Sequence, residues 1–348
     1  MAMHKIKTGI ASFGLSGQVF HAPFLNIHEG FELKVIAERS KDLARAQYPH
    51  VKTVRTFDEL LAEEIDLVVV NTPVQTHFDY CKQALLAGKH VVVEKPFVAT
   101  VAEAEKLIAL ANKQDKLLTV FQNRRYDGDF LTVRQILQSG VLGRVVEFQS
   151  SFQRYRPDIT SARAQWREEP LPGNGITYDL GSHLCDQALV LFGKPSGIWA
   201  HITIQRQGSR VDDYSLIQML YPDLIVTLRA GMLIREEGPR FALHGTRGSY
   251  VKFGLDPQEG LLRTGHAVPS RGPWAAEPDT EWGILNTDDG RRKYPTIPGN
   301  YLGYYDAIYD TLCKGAQPPV SHNDMLTDLR ILEAAFKSSQ TGQVISVE

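Results

Sequence analysis

A chain of 348 residues exceeds what one hydrophobic core commonly fills, so two domains of ordinary size are expected. Its 43% hydrophobic and 22% charged residues are the composition of a globular protein, and a net charge of −2 excludes a global attraction to nucleic acid or anionic lipid. Three scattered cysteines, Cys81, Cys185 and Cys313, exclude a disulfide framework or a cysteine zinc site.

The basic runs Arg124-Arg125 and Arg291-Arg292-Lys293 are too short to line a groove. Met1 to Lys7 lacks the apolar run of a signal peptide, and no later stretch is long enough to span a bilayer. The expected setting is therefore the cytoplasm.

In chain order, Thr8 to Phe13 reads as a strand and Gly14-Leu15-Ser16-Gly17 as the turn after it, in the register Ser12-x-Gly14-x-x-Gly17. A dinucleotide turn wants glycine where the backbone bends, where it nears the pyrophosphate and where helix packs on strand. Ser12 stands in place of the first glycine, so the motif is weak alone. Pro23 predicts that the first helix starts late or bends. Leu33 to Ala37 is a second strand, and Glu38 at its end is placed to accept from an adenosine ribose. Arg39 and Ser40 come next and could instead hold a 2′-phosphate. As plain surface charges, Glu38 and Arg39 would do neither; the residues leave NAD and NADP both open, with a lean to NADP.

The alternation continues through Val51 to Val54, a helix from Phe57 to Glu63, and the strand Ile65 to Asn71, which ends in Thr72-Pro73 with His77 opening the next helix. Val91-Val92-Val93-Glu94-Lys95-Pro96 reads as a strand buried on both faces that the proline stops, leaving Lys95 at a carboxyl end. Taken alone, Glu94-Lys95 could be a solvated pair after an ordinary strand. Thr100-Val101-Ala102-Glu103 has capping-box spacing for a helix to about Asn112, and Leu117 to Gln122 is a sixth strand. Six strands separated by helical segments predict a parallel, doubly wound sheet over residues 1–123, with Gly14, Glu38, Thr72, Lys95 and Gln122 on its rim.

Residues 124–348 read differently. After a helix near Asp129 to Ser139, strand-like runs follow one another at Val145 to Gln153, Gly197 to Gln205, Tyr214 to Tyr221, Leu224 to Leu233, Phe241 to His244 and Tyr250 to Phe253. They predict a large, mostly antiparallel sheet, with a hairpin turn at Tyr221-Pro222-Asp223. Leu255 to Asp289 reads as irregular surface, and Asn300 to Lys314 and His322 to Thr341 as closing helices, the second capped by Ser321. One helix, Ile176 to Phe192, interrupts the sheet. It carries Asp179 and His183 four residues apart, hence on one face. An imidazole beside a carboxylate is equipped to move a proton. The competing readings are an inconsequential surface pair and a metal site that adds Asp186, and Cys185 reads as a small buried apolar group.

Together the glycine turn, Glu94-Lys95-Pro96 and Asp179-x-x-x-His183 resemble the Gfo/Idh/MocA oxidoreductase family along almost the whole chain. Phe20-His21-Ala22-Pro23, Asn123-Arg124-Arg125-Tyr126-Asp127, Trp166-Arg167, His244-Gly245-Thr246-Arg247-Gly248-Ser249 and Asp256-Pro257-Gln258-Glu259 are similar to a subgroup that contains NADP-linked scyllo-inositol dehydrogenases. The resemblance implies a Rossmann domain, then an α/β domain whose open sheet packs on a second copy in a homodimer or higher oligomer. Both domains would contribute to the active site. It also implies Lys95, Asp179 and His183 as the catalytic group, no metal, and a polyol substrate. Ser12, Gly14, Leu15, Ser16, Gly17, Glu38, Arg39, Ser40, Thr72, Pro73, His77, Glu94, Lys95, Gln122, Asn123, Trp166 and Arg167 would hold NAD or NADP. Lys95 and His183 could exchange the roles of alkoxide stabiliser and base. The same fold also serves a nucleotide-sensing regulator without turnover, and an enzyme that cleaves glycosides through bound NAD.

Overall fold

Strands with apolar residues on both faces need cover on both faces, and a sheet flanked by crossover helices supplies it. In the computed structural model, which describes residues 5–160, 168–265 and 269–347, the chain divides into two units. The first holds Met1–Tyr126, Gln258–Ala275 and Asn300–Met325, the second Asp127–Pro257, Ala276–Gly299 and Leu326–Glu348.

The first unit is built on strands β1 (Ile6–Ile10), β2 (Phe31–Ala37), β3 (Lys52–Val54), β4 (Leu67–Val70), β5 (His90–Val93) and β6 (Leu118–Val120). Every pairing is parallel and the order is β3-β2-β1-β4-β5-β6. Val68, Val69, Val70, Val91, Val92 and Val93 are fully buried, as uninterrupted β-branched runs require. The order reverses between β1 and β4, and there the carboxyl ends of a doubly wound sheet open a crevice for a ligand. The expected cap is present: Thr100 Oγ1 accepts from the Glu103 amide at 3.2 Å, and Glu103 Oε2 reaches back to accept from the Ala99 amide at 3.2 Å.

Part of this unit comes from late in the chain. Tyr304 donates its hydroxyl to the Val120 carbonyl (2.9 Å), Thr119 to that of Val320 (2.9 Å), and Arg125 to that of Pro319 (2.8 Å), which ties the helix Leu302–Lys314 and the segment after it to β6. Ser321 caps the last helix by accepting from the Asp324 amide at 3.1 Å.

The second unit is a nine-stranded sheet formed by β7 (Val145–Gln153), β8 (Gly197–Thr203), β9 (Tyr214–Leu220), β10 (Ile225–Gly231), β11 (Phe241–Gly245), β12 (Gly248–Lys252), β13 (Gly283–Thr287), β14 (Gly290–Tyr294) and β15 (Ile345–Ser346), in the order β14-β13-β12-β11-β7-β10-β9-β8-β15. The β9–β10 hairpin turns where Tyr221-Pro222-Asp223 predicts it, with Leu220 opposite Ile225. The sheet is mostly antiparallel, as expected, with one parallel pair, and one other expectation is corrected. β7 and β10 pair in parallel, because the hairpin β8–β9 is inserted between them in sequence and fills the far side of β10. Leu255 to Asp289 is not wholly irregular: it contains the helix Gln258–Thr264 and β13, whose neighbours across the sheet supply the hydrogen bonds that its glycines and prolines do not advertise. No helix among the described residues is long and apolar enough to cross a membrane.

Candidate functional site

On the first unit, the carboxyl ends of the strands carry the residues that the sequence singles out. The turn after β1 is held internally: Ser12 Oγ accepts the Gly14 amide at 3.3 Å, and Asn71, at the end of β4, donates Nδ2 to the Ser12 carbonyl (2.8 Å) and to Ser16 Oγ (3.3 Å). Ser12 thus does through its side chain what a tighter glycine turn does through backbone freedom. A Cβ at Gly17 would run into the Ser12 carbonyl oxygen, whereas one at Gly14 would meet only Ser12 Oγ at 3.6 Å. The turn is closed behind and open in front, the shape of a cradle for a pyrophosphate at a helix start. Residues 15–27 then form a helix that opens with a π-helical turn, Gly17–His21. Ala22 bonds back five residues to the Gly17 carbonyl, and this wider turn accommodates Pro23, which has no amide to give.

Glu38 is 7% exposed, and its Oε2 accepts the Ala44 amide at 3.1 Å, so the carboxylate is turned into the fold. Arg39 and Ser40 are exposed beside it. Thr72 Oγ1 meets Thr76 Oγ1 at 2.6 Å, Pro73 leads the short turn Val74–Thr76, and His77 is buried with Nε2 at 2.9 Å from the Thr72 carbonyl and Nδ1 at 3.0 Å from that of Pro96. Burial lowers the His77 pKa. Gln122 and Asn123 are buried at the end of β6.

Lys95 is half-buried, one residue beyond Glu94 and before a cis peptide to Pro96. Burial pushes the Glu94 carboxyl up, but a hydrogen bond from His21 and the positive charge of Lys95 outweigh it and hold Glu94 below the usual carboxylate range. Asn71 and His21 are residues to which sequence reasoning gave no role here. The first was read only as the end of an apolar strand, and the second only as part of the run Phe20-His21-Ala22-Pro23.

On the second unit, residues 176–192 form the expected helix, with a correction: Thr177–Gly181 is a π-helical turn, and regular α-helix runs over Ser182–Phe192. Asp212 pins its start by accepting from Thr177 N (2.8 Å) and Oγ1 (2.6 Å), while Gly175 has φ +100° and a Cβ there would collide with the Asp212 carboxylate. Burial raises the Asp212 pKa against those two bonds. Asp179 lies half-buried in the π-turn and His183 is buried in the first turn beyond it. Further along the same stripe, Gln187 accepts from Arg240 at 2.7 Å. The Arg240 guanidinium stacks 4.0 Å from the centre of Phe152, whose ring flanks that of His183 at 6.4 Å. Among the described residues no group of three or more His, Cys, Asp or Glu is arranged to hold a metal ion. Trp166 and Arg167 lie outside the described residues.

A six-stranded parallel sheet in this order, with a glycine cradle at its switch point, defines a dinucleotide-binding domain. Residues 6–122 match the oxidoreductase family with an NAD-binding Rossmann fold, and residues 130–251 match the GFO/IDH/MocA C-terminal domain. The chain belongs to the Gfo/Idh/MocA family and is an NAD(P)-dependent dehydrogenase or reductase. It is 40% identical over 340 residues to the uncharacterised oxidoreductase YdgJ of Escherichia coli (strain K12), covering 96% of each chain. It is 37% identical over 349 residues to the scyllo-inositol 2-dehydrogenase (NADP(+)) IolW of Bacillus subtilis (strain 168), covering 99% of this chain and 96% of that one. A crystal structure of an oxidoreductase from Bacillus cereus superposes with a TM-score of 0.90 at 32% identity, over 99% of both chains.

Proposed function

We propose that the protein transfers hydride between the nicotinamide of NADP(H) and a secondary hydroxyl or ketone of a sugar or cyclitol. The observation that carries this reading is a lysine at the carboxyl end of β5 beside a half-buried, ionised carboxylate, in a chain that also presents a buried imidazole four residues from a carboxylate. The name of the Bacillus subtilis relative supports an inositol-like substrate.

Bound cofactor would supply the hydride acceptor. For alcohol oxidation, His183 takes the hydroxyl proton as the carbon loses hydride, and Asp179 orients the ring and stabilises its cation. Lys95 stabilises the developing alkoxide. Ser12, Gly14, Leu15, Ser16 and Gly17 cradle the pyrophosphate, Arg39 and Ser40 take the ribose phosphate end, and Thr72, Pro73, His77, Glu94, Gln122 and Asn123 border the nicotinamide half. Three unpaired thiols support a reducing, cytoplasmic setting. The outer face of the second sheet, with Trp199, Leu216, Leu220 and the exposed Ile225, supports a homodimer.

The deciding experiment follows scyllo-inositol and myo-inositol oxidation with NADP across pH for wild type, Lys95→Met and His183→Asn. Each variant should lose about 10²-fold or more in kcat. The variant that lacks the base should also lose the limb on which rate rises with pH. Full activity in both would refute the assignment, and tight cofactor binding without turnover of any polyol would make the chain a sensor.

A further inference from the structure

His21 closes the π-turn Gly17–His21 and its side chain is fully buried. Its Nε2 lies 3.1 Å from Glu94 Oε1 and its Nδ1 2.7 Å from the Tyr305 hydroxyl. A carboxylate only accepts, so Nε2 donates to Glu94, while Nδ1 and the Tyr305 hydroxyl share a hydrogen bond. Burial holds that phenol well above its usual pKa, which keeps it protonated. On its other oxygen, Glu94 accepts the backbone amide of Lys95 at 3.2 Å. Phe121 packs on the imidazole with ring centres 4.5 Å apart. Residues far apart in sequence thus form one line, Tyr305 to His21 to Glu94, that ends at the backbone amide of the lysine.

We infer that His21 and Tyr305 are positioning residues that act through Glu94 on Lys95, holding the carboxylate in place and charged beside the amine. The inference rests on the proposed role of Lys95. A carboxylate this enclosed takes up a proton unless donors hold its charge. The titratable groups that face Glu94 are His21, Lys95, His77, Tyr304 and Tyr305. Of the two histidines, His77 spends its nitrogens on the Thr72, Pro96 and Phe97 carbonyls, and His21 bonds Glu94 directly. The π-turn is part of the device. Without its extra residue the side chain at position 21 would swing by about 100° around the helix and point away from Glu94.

The test uses amide geometry. In His21→Gln the side-chain nitrogen falls near the place of Nε2 and can still donate to Glu94, whereas in His21→Asn it falls near Nδ1 and cannot. Acetic anhydride labelling of the folded proteins, read by peptide mass spectrometry, gives the rate at Lys95 relative to Lys89 and Lys106. In His21→Asn and in Glu94→Gln the amine loses its anionic neighbour and should label about threefold faster or more, with His21→Gln within about twofold of wild type. If His21→Asn does not fold, Tyr305→Phe, which strips only the outer hydroxyl, should raise the rate by a smaller factor. Equal rates in wild type, Glu94→Gln and the His21 or Tyr305 variants would overturn the inference, as would a rise confined to Glu94→Gln. Labelling needs no substrate, so the expected pattern with no polyol turnover in wild type would remove the proposed function and leave this coupling standing. Turnover with flat labelling would do the reverse.

Discussion

Glu38 and Arg39 stand side by side at the end of β2, and their surroundings separate two roles that their spacing leaves open. The Glu38 carboxylate is turned inward to the Ala44 amide and its Oε1 is buried, so a ribose would have to draw it out. Arg39 is already in solvent. A guanidinium gains charge-assisted hydrogen bonds of about 1.5–3 kcal/mol from a phosphate, a tenfold preference or more. Fluorescence titration should therefore show NADP(H) binding tighter than NAD(H), with Arg39→Ala losing about tenfold for NADP(H) and little for NAD(H). Tighter NAD(H) in wild type would return the ribose to Glu38. Lys95, Asp179 and His183 were legible as candidates because their chemistry is unusual for their places in strand and helix. His21 was not, because its partners Glu94 and Tyr305 are 73 and 284 residues away.

Two of the helices that carry proposed site residues open with a π-turn, one over Gly17–His21 and the other over Thr177–Gly181. Each inserts one residue and shifts the face that the following turn presents, and such insertions recur at functional sites. Hydrophobic spacing does not reveal them, since the rest of the helix keeps its period. Three further elements begin with a histidine: His77 opens the helix His77–Leu86, His90 opens β5, and His322 opens the helix His322–Thr341. Burial lowers the pKa of all three. The folded chain holds protons on these rings less tightly than the unfolded chain, which binds them below about pH 6.5, so the unfolded state gains protons first. Their contribution is complete above that pH and is lost as the pH falls toward their folded values. The melting temperature should drop measurably between pH 7.5 and 5.5; a flat profile would contradict the lowered pKa values.

At the scale of the whole molecule, the second sheet raises the question of what covers its outer face. Along β9, buried Ser215, Ile217 and Met219 alternate with half-buried Tyr214, Leu216, Gln218 and Leu220. A solvated face would carry charge at those positions. Apolar and aromatic residues there fit a partner surface, and a two-fold pairing of identical sheets is the simplest closed arrangement. Sedimentation velocity should give a particle of at least two chains, and Leu216→Asp with Leu220→Asp should shift it to monomer. A monomeric wild type at micromolar concentration would exclude the dimer.

The sequence by itself determined what local physics decides. Uninterrupted valines specified strands buried on both faces, Pro96 stopped one of them at Lys95, Thr100 and Ser321 capped their helices, and strand–helix alternation specified a parallel sheet. Tertiary structure alone decided the rest: the parallel join of β7 to β10, the helix and strand inside Leu255 to Asp289, the return of Asn300–Met325 to the first unit, and the line from Tyr305 through His21 to Glu94. Apart from the helix, whose own bonds are local, each of these depends on bonds between residues distant in sequence. Short-range pattern carries no record of such bonds, because the free energy that selects them is gained only when the two segments meet.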